Sequence, residues 1–213
     1  MSRFTAKVRR EGYKDFNPNL PENKIYVPVD SFNEDSTLNK DTKYLIVGTL
    51  TPPKGRGENN KGYFYCSPSN KMYSYVGLGL EDVKNEFNKN WDSKLKEKIT
   101  NTLRNNHIAF LDVVEKAYAK KDSSRDDDII VYKLDTEKFK DILKCSNLKI
   151  AANSINAYEM LLVILEEIRV KHDVEIIPQQ VRGYKNSKRL KFECNSKEDL
   201  KREWNKFFGR DGK

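Results

Sequence analysis

The sequence contains few of the side chains from which metal sites and disulfide frameworks are built. It has three cysteines and two histidines among 213 residues. Cys66, Cys145 and Cys194 lie far apart and form no CxxC pair. His107 and His172 add no zinc-ligand spacing, and we interpret both histidines as structural. The sequence therefore predicts neither a metal nor another cofactor.

Long apolar runs are also lacking. No stretch approaches the roughly 18 residues that a membrane-spanning helix requires. The first residues contain no hydrophobic segment of the kind found in secretory signals. We therefore expect a cytoplasmic protein with reduced thiols and no membrane partner.

Two common nucleotide-binding motifs are absent. The dinucleotide-binding pattern GxGxxG does not occur. A P-loop needs GxxxxGK(S/T) directly after a strand, whereas Gly48 is followed by Thr-Leu-Thr-Pro-Pro-Lys. Pro52 and Pro53 lack the backbone N–H groups that would surround a phosphate. The segment after Gly48 is therefore not a P-loop.

What the sequence does have is an excess of positive charge. Lysine and arginine number 40 against 32 aspartates and glutamates, which gives a net charge of +8. This balance favours an anionic partner, most often nucleic acid, although a generally lysine-rich surface would give the same count. The 11% of aromatic residues indicates a folded core, and 213 residues suit one domain.

Apolar runs of strand length alternate four times with amphipathic stretches, which predicts βαβ units. The predicted fold class is α/β, with three αβα layers and a central, mostly parallel four-stranded sheet. The predicted strands of this sheet are 44–47, 107–114, 148–152 and 174–177. The predicted helices begin near residue 92, at 136, after Asn153-Ser154 and after Ser196.

We expect one domain over residues 1–213. Its polar N-terminal extension, 1–42, would wrap the core of residues 43–208 or cap one edge of the sheet. Residues 25–27 and 189–193 are predicted as two further short strands, the first an edge strand because Pro28 limits its ladder.

Parallel α/β sheets bind their ligands beyond the carboxyl ends of their strands. In this sequence those ends are 48–53, Asp112, Asn153 and 178–180. We therefore expect the functional site where these segments meet.

Two features follow the first sheet strand. The loop 54–61 is basic and rich in glycine, so its backbone could approach a phosphate closely, but an ordinary surface loop has the same composition. A cluster of aromatic residues comes next, more than one loop needs. Most of these rings would pack in the core, and one exposed ring could stack on a base. They are Tyr63, Phe64, Tyr65, Tyr73 and Tyr75.

The residues after the first strand carry a family resemblance. Gly48-Thr-Leu-Thr-Pro-Pro, followed by Tyr65-Cys-Ser-Pro-Ser-Asn70-Lys-Met-Tyr73, resembles the first motif of the uracil-DNA glycosylase superfamily. The mismatch-specific and hypoxanthine-DNA glycosylases are the branches it resembles most. Weaker similarity continues at Phe110-Leu-Asp112 and at Ile150-Ala-Ala-Asn153. The resemblance covers roughly residues 43–180.

The resemblance implies excision of a base: the nucleotide is flipped into a pocket, and water attacks C1′ as the N-glycosidic bond breaks. Gly48 to Pro52 would form the pocket floor, Tyr65 would stack on the base, and Asp112 would accept hydrogen bonds from its edge. The implied partner is duplex DNA with a damaged or mismatched base, bound by a monomer. The predicted catalytic residues are Thr49, Thr51 and Asp112. The predicted base-binding residues are Gly48, Leu50, Pro52, Tyr65, Asn70 and Asn153. The predicted DNA contacts are Lys54, Arg56, Lys61, Gln179, Gln180, Arg182 and Lys185.

Two positions depart from the family pattern. Leu50 stands where many members carry a carboxylate or amide that activates water, and a threonine hydroxyl is a poor general base. The second motif reads Pro178-Gln-Gln-Val-Arg-Gly-Tyr, without the usual histidine or serine, so Gln179 or Gln180 is the candidate hydrogen-bond donor. Two alternatives therefore stay open. One is a glycosylase-fold protein that binds nucleic acid or nucleotide without excision, and the other is an enzyme acting on free nucleotides.

Overall fold

The computed structural model of the protein describes most of the chain after the N-terminal residues. The described residues are 26–33, 36–50, 64, 72–80, 93–120, 129–143, 147–181, 183–185 and 187–210. The strands in these ranges are β1 (Tyr26–Asp30), β2 (Tyr44–Gly48), β3 (Ile108–Asp112), β4 (Val114–Lys120), β5 (Ile129–Leu134), β6 (Lys149–Ala152) and β7 (Val174–Ile176). The helices are α1 (Met72–Val76), α2 (Ser93–Asn105), α3 (Thr136–Leu143), α4 (Ile155–Glu167) and α5 (Lys197–Phe207).

The central sheet has four parallel strands in the order β3-β2-β6-β7. Its strands are the four that the apolar runs predict, and the predicted α/β class is confirmed. β3 is buried at every position, and β2 is buried from Leu45 to Gly48. Strands covered on both faces need apolar side chains throughout, which is why these runs are continuous rather than alternating.

Helices cover both faces of this sheet, as the three-layer prediction requires. Leu45 and Val47 point into one apolar core, which they share with α3, α4 and the second sheet. Ile46 points into the opposite core, formed by α1, α2 and α5. Alternate side chains of a strand lie on opposite faces, so β2 contributes to both cores.

A second, antiparallel sheet has the order β1-β4-β5. The chain passes from β3 into β4 through Val113, whose N–H donates to Gly48 O at 2.8 Å and whose carbonyl accepts from Asp135 N at 2.9 Å. β4 and β5 are absent from the sequence prediction. β1 begins at Tyr26 and tolerates Pro28 because it lies at an edge of this sheet.

Asn33 and Thr37 cover the outer edge of β3, and Ser31 extends the contact to β4. Ser31 N donates to Glu115 O at 2.9 Å, the Asn33 side chain bonds to the Asp112 backbone, and the Thr37 hydroxyl donates to Ile108 O at 2.8 Å. An uncovered edge strand would leave buried backbone groups unsatisfied.

The strand predicted at 189–193 is wrong. These residues run as turns and bends, and no described strand lies beside them to form a ladder. Leu190 and Phe192 instead pack, partly buried, against the core on the α5 side. In the part of the chain that the structure describes, no helix is long and apolar enough to cross a membrane.

Candidate functional site

The parallel sheet has a switch point between β2 and β6, and α/β sheets form their ligand cleft beyond the carboxyl ends of the strands at such a point. β2 is followed along the chain by β3 on one side of it, and β6 then pairs with its other side. The segments that leave β2 and β6 therefore diverge, and α/β sheets bind ligands at such a switch point. Thr49 leaves β2 here, and Asn153 and Ser154 leave β6. That the functional site lies at these strand ends stays a prediction.

Gly48 and Asp112 are register partners at the ends of β2 and β3. Beyond this pair, Val114 N donates to Thr49 O at 3.1 Å. The first residues of the predicted pocket floor therefore lie directly beside the predicted base-reading carboxylate. Asp112 itself is completely buried. Aspartate is almost never fully buried unless it is paired, because burial removes the hydration of the carboxylate.

Asn33, a residue that the sequence reasoning missed, holds the backbone of Asp112 from outside the sheet. Asp112 N donates to Asn33 Oδ1 at 2.8 Å, and Asn33 Nδ2 donates to Asp112 O at 2.9 Å. The same Nδ2 donates to Asp135 Oδ2 at 2.5 Å. No sequence signal identifies this contact, because Asn33 and Asp112 are 79 residues apart.

Asp135 lies at the start of α3, where its Oδ1 accepts from Lys138 N at 3.3 Å. Burial raises the pKa of Asp135 above its ordinary value, because the ionised carboxylate loses hydration. The hydrogen bonds from Asn33 and Lys138 act in the opposite direction and only partly offset that effect. Asp135 is therefore a carboxyl group adjacent to the site whose ionisation depends on its hydrogen-bond donors.

Asn153 stands at the end of β6 and is almost completely buried, with 2% of its surface exposed. Its backbone is fixed on both sides: Asn153 N donates to Val47 O at 2.9 Å, and Asn153 O accepts from Gln179 N at 3.2 Å. Among the described residues, its side-chain Nδ2 meets no hydrogen-bond acceptor. A buried amide donor of this kind is costly unless a ligand or another group accepts from it.

The N-terminus of α4 opens onto the same cleft. Ser154 caps the helix, with its hydroxyl accepting from Ala157 N at 3.0 Å and lying 3.3 Å from the Thr49 hydroxyl. The Tyr184 hydroxyl accepts from Ile155 N at 3.1 Å, which ties the loop after β7 to the first turn of α4. The sequence predicts the Ser154 cap, whereas the Tyr184 contact has no local signal.

The predicted DNA contacts that the structure describes lie after β7. Gln179 is half-buried, while Gln180 and Lys185 are exposed. The segment is anchored at its start, because Trp204 Nε1 donates to Pro178 O at 3.4 Å and Trp204 is fully buried. This region therefore offers a cation and two amides beside the cleft.

Leu50 is 5% exposed and packs in the core shared with α3 and α4. Of the aromatic cluster, Phe64, Tyr73 and Tyr75 are buried in the opposite core, where Tyr73 OH donates to Phe64 O at 2.6 Å. These three rings therefore fit the packing alternative. The remaining predicted site residues lie outside the described residues: Thr51, Pro52, Lys54, Arg56, Lys61, Tyr65, Asn70 and Arg182.

A solution NMR structure of a proposed uracil DNA glycosylase from Methanosarcina acetivorans is similar to this chain, with a TM-score of 0.48 and 20% sequence identity. The similarity covers 82% of this chain and 93% of that protein. No protein-family model matches the chain, and no curated protein does. Likeness at this level supports no argument about what the protein does.

Proposed function

We propose that the protein is a DNA glycosylase, which binds duplex DNA and hydrolyses the N-glycosidic bond of a deaminated or mismatched base. The observation that carries this proposal is the fully buried Asp112 beside Gly48, at the carboxyl end of the parallel sheet. The motif that begins at Gly48 resembles that of the uracil-DNA glycosylases, and the cleft between β2 and β6 is where such a fold binds its ligand.

Asp112 and Asn153 give this cleft the groups needed to read a base edge. An ionised carboxylate accepts hydrogen bonds from ring N–H or amino groups, whereas the Asn153 Nδ2 donates to a carbonyl oxygen. Both side chains are shielded from water. A base that offered no acceptor to Asn153 Nδ2 would leave that buried donor unsatisfied. Uracil and hypoxanthine each carry a ring N–H beside a carbonyl, and this pair of groups suits such an edge.

In the proposed reaction a water molecule attacks C1′ of the flipped nucleotide while the bond from C1′ to the base nitrogen breaks. The oxygen of the water becomes the C1′ hydroxyl of the abasic sugar, and the base leaves with a proton. Among the described residues, Thr49 is the candidate for positioning this water. It directly follows Gly48 at the end of β2, and its hydroxyl lies near that of Ser154. Thr51 remains a second candidate.

The proposal of DNA binding rests on the net charge of +8 and on Gln180 and Lys185, which are exposed. Lysines and arginines that neutralise phosphates release counterions, so the affinity should fall as the salt concentration rises.

The packing of Leu50 favours a second candidate function. A leucine side chain in the core cannot activate water, and this is the position where many glycosylases carry that group. The alternative is a glycosylase-like protein that binds nucleic acid or nucleotide without excising a base. It predicts salt-dependent DNA binding with no product.

One experiment distinguishes a glycosylase from a protein that binds without excision. It employs duplex oligonucleotides that contain uracil, hypoxanthine, xanthine or a G·T mismatch. Each duplex is incubated with excess protein and then cleaved with alkali at any abasic site. The Asp112→Asn variant, which keeps the volume of the side chain, is the matched control. Strand cleavage by the wild type and its loss in the variant support a glycosylase, whereas binding without cleavage on all four duplexes supports the alternative.

A further inference from the structure

The Asn33 side chain forms the link between Asp112 and Asp135. Its amide makes three hydrogen bonds, two to the Asp112 backbone and one to the Asp135 carboxylate. All three residues are largely shielded from solvent, with exposures of 4% for Asn33, 0% for Asp112 and 9% for Asp135. Water therefore cannot readily replace these bonds when one of them is lost.

Asp135 favours the same orientation of the Asn33 amide as the Asp112 backbone does. With Nδ2 towards Asp135, Oδ1 faces the Asp112 N–H, and every donor meets an acceptor. In the opposite orientation the amide oxygen would face a carboxylate, and Nδ2 would face an N–H group. Asp135 thus stabilises the orientation in which Asn33 bonds to the Asp112 backbone.

The two hydrogen bonds from Asn33 to the Asp112 backbone replace those of a neighbouring strand. β3 pairs with β2 on one side only, and among the described strands none pairs with its other side. Asn33 supplies both a donor and an acceptor to Asp112, as a strand partner would. The Asp112 side chain is fully buried, so a shift of its backbone would move the carboxylate within a closely packed environment.

We propose that Asn33 and Asp135 are positioning residues, which hold the Asp112 carboxylate in the geometry that base excision requires. The inference rests on the proposed glycosylase function. Asn33 lies outside the part of the chain that resembles the glycosylases, so the resemblance does not point to it. Neither residue contacts the DNA in this account, and both act through Asp112.

Thr37 provides a matched control for this inference. It is fully buried, lies on the same side of β3, and donates to Ile108 O at 2.8 Å. Ile108 is the first residue of β3 and Asp112 the last, so Thr37 holds the end of the strand that is remote from the site. Thr37→Val removes one buried hydrogen bond from this strand without disturbing Asp112.

The test measures single-turnover excision and duplex affinity for the wild type and for Asn33→Asp, Asp135→Ala, Asp135→Asn and Thr37→Val. Asn33→Asp keeps the shape of the side chain but loses both N–H donors. Asp135→Ala loses the acceptor, whereas the amide oxygen of Asp135→Asn can still accept from Asn33. Misplacing a reacting group by about 1 Å can cost on the order of 100-fold in rate. We expect Asn33→Asp and Asp135→Ala to lose about 10- to 100-fold in the excision rate with an unchanged Kd for the duplex.

Amide hydrogen exchange at Asp112 supplies a readout that does not depend on activity. We expect faster exchange at this amide in Asp135→Ala, because its acceptor on Asn33 is no longer held in place. Exchange in Asp135→Asn should match the wild type. Thr37→Val should lower the free energy of unfolding while keeping both the excision rate and the Asp112 exchange rate.

The outcomes distinguish failure of the positioning role from failure of the proposed glycosylase function. Full excision rates in folded Asn33→Asp and Asp135→Ala overturn this inference and leave the proposed function intact. A loss in Thr37→Val as large as that in Asp135→Ala also overturns it, because the effect would then follow stability alone. If the wild type excises no base from any duplex, the proposed function is wrong and this inference falls with it. Rescue by Asp135→Asn alongside loss in Asp135→Ala supports the inference.

Discussion

The hydroxyl oxygens of Thr49 and Ser154 lie 3.3 Å apart, where the chain leaves β2 and where it enters α4. This contact bridges the two segments that diverge at the switch point of the sheet. It joins a predicted catalytic hydroxyl to a helix cap, so a change at Ser154 should affect both the stability of α4 and the chemistry of the cleft.

Ser154→Ala should lower the free energy of unfolding by about 0.5–2 kcal/mol, because the N–H of Ala157 loses its acceptor. Ser196→Ala is the matched control, since Ser196 caps α5 with a similar bond from Asp199 N at 3.1 Å. We expect similar losses in urea unfolding for the two variants. Only Ser154→Ala should also slow excision, because Thr49 loses its neighbour. Equal excision rates in both variants would contradict a role for this contact in the site.

How far the sequence predicts the fold depends on the surroundings of each strand. The strands of the parallel sheet are buried on both faces, and their continuous apolar runs are visible in the sequence. β4 reads Val-Glu-Lys-Ala-Tyr-Ala-Lys, and its buried positions after Val114 are Ala117 and Ala119. Alanine has little intrinsic preference for strands, so pairing with β1 and β5 decides the structure of β4.

Some residues of the candidate site can be predicted from the sequence, and others cannot. Gly48, Asp112 and Asn153 follow strands that the sequence predicts, and the carboxyl-end rule is enough to bring them together. Asn33 and Tyr184 act through side-chain hydrogen bonds between distant segments, and no periodicity marks such bonds. No sequence pattern separates rings that pack in the core from rings that could stack on a base. The structure places Phe64, Tyr73 and Tyr75 in the core.

The raised pKa of Asp135 predicts a pH-dependent contribution to stability. Burial is its main cause, so the folded protein binds a proton at this carboxyl more tightly than the unfolded chain does. The resulting stabilisation is fully present below the ordinary pKa of 3.8 and is lost as the pH rises through the raised, folded pKa.

In the Asp135→Asn variant the side chain at this position does not titrate. Comparison with the wild type therefore isolates the contribution of Asp135 to the pH dependence of stability. We expect the difference in free energy of unfolding, wild type minus variant, to increase as the pH falls through the folded pKa of Asp135. Urea unfolding over a series of pH values measures this difference, in which the other titrating groups largely cancel. A difference that stays constant or decreases as the pH falls would contradict the raised pKa.

Lys185 allows a direct test of the predicted DNA surface. It is exposed in the loop after β7, near the carboxyl ends of the strands. Lys185→Ala should reduce the slope of log K against log salt concentration by about 1, as expected for the loss of one phosphate contact. Lys149→Ala is the control, because Lys149 is exposed at the opposite end of β6 from Asn153. Equal slopes for the two variants would place the DNA elsewhere on the protein.

The most direct measurement of the central claim is the release of a free base from duplex DNA. Under single-turnover conditions, free base and abasic sites are quantified together, for the wild type and for Asp112→Asn. The account predicts equal amounts of the two products with the wild type, and a rate at least about 100-fold lower in a folded Asp112→Asn variant. Binding of the duplex by the wild type without release of base from any of the four substrates would contradict it.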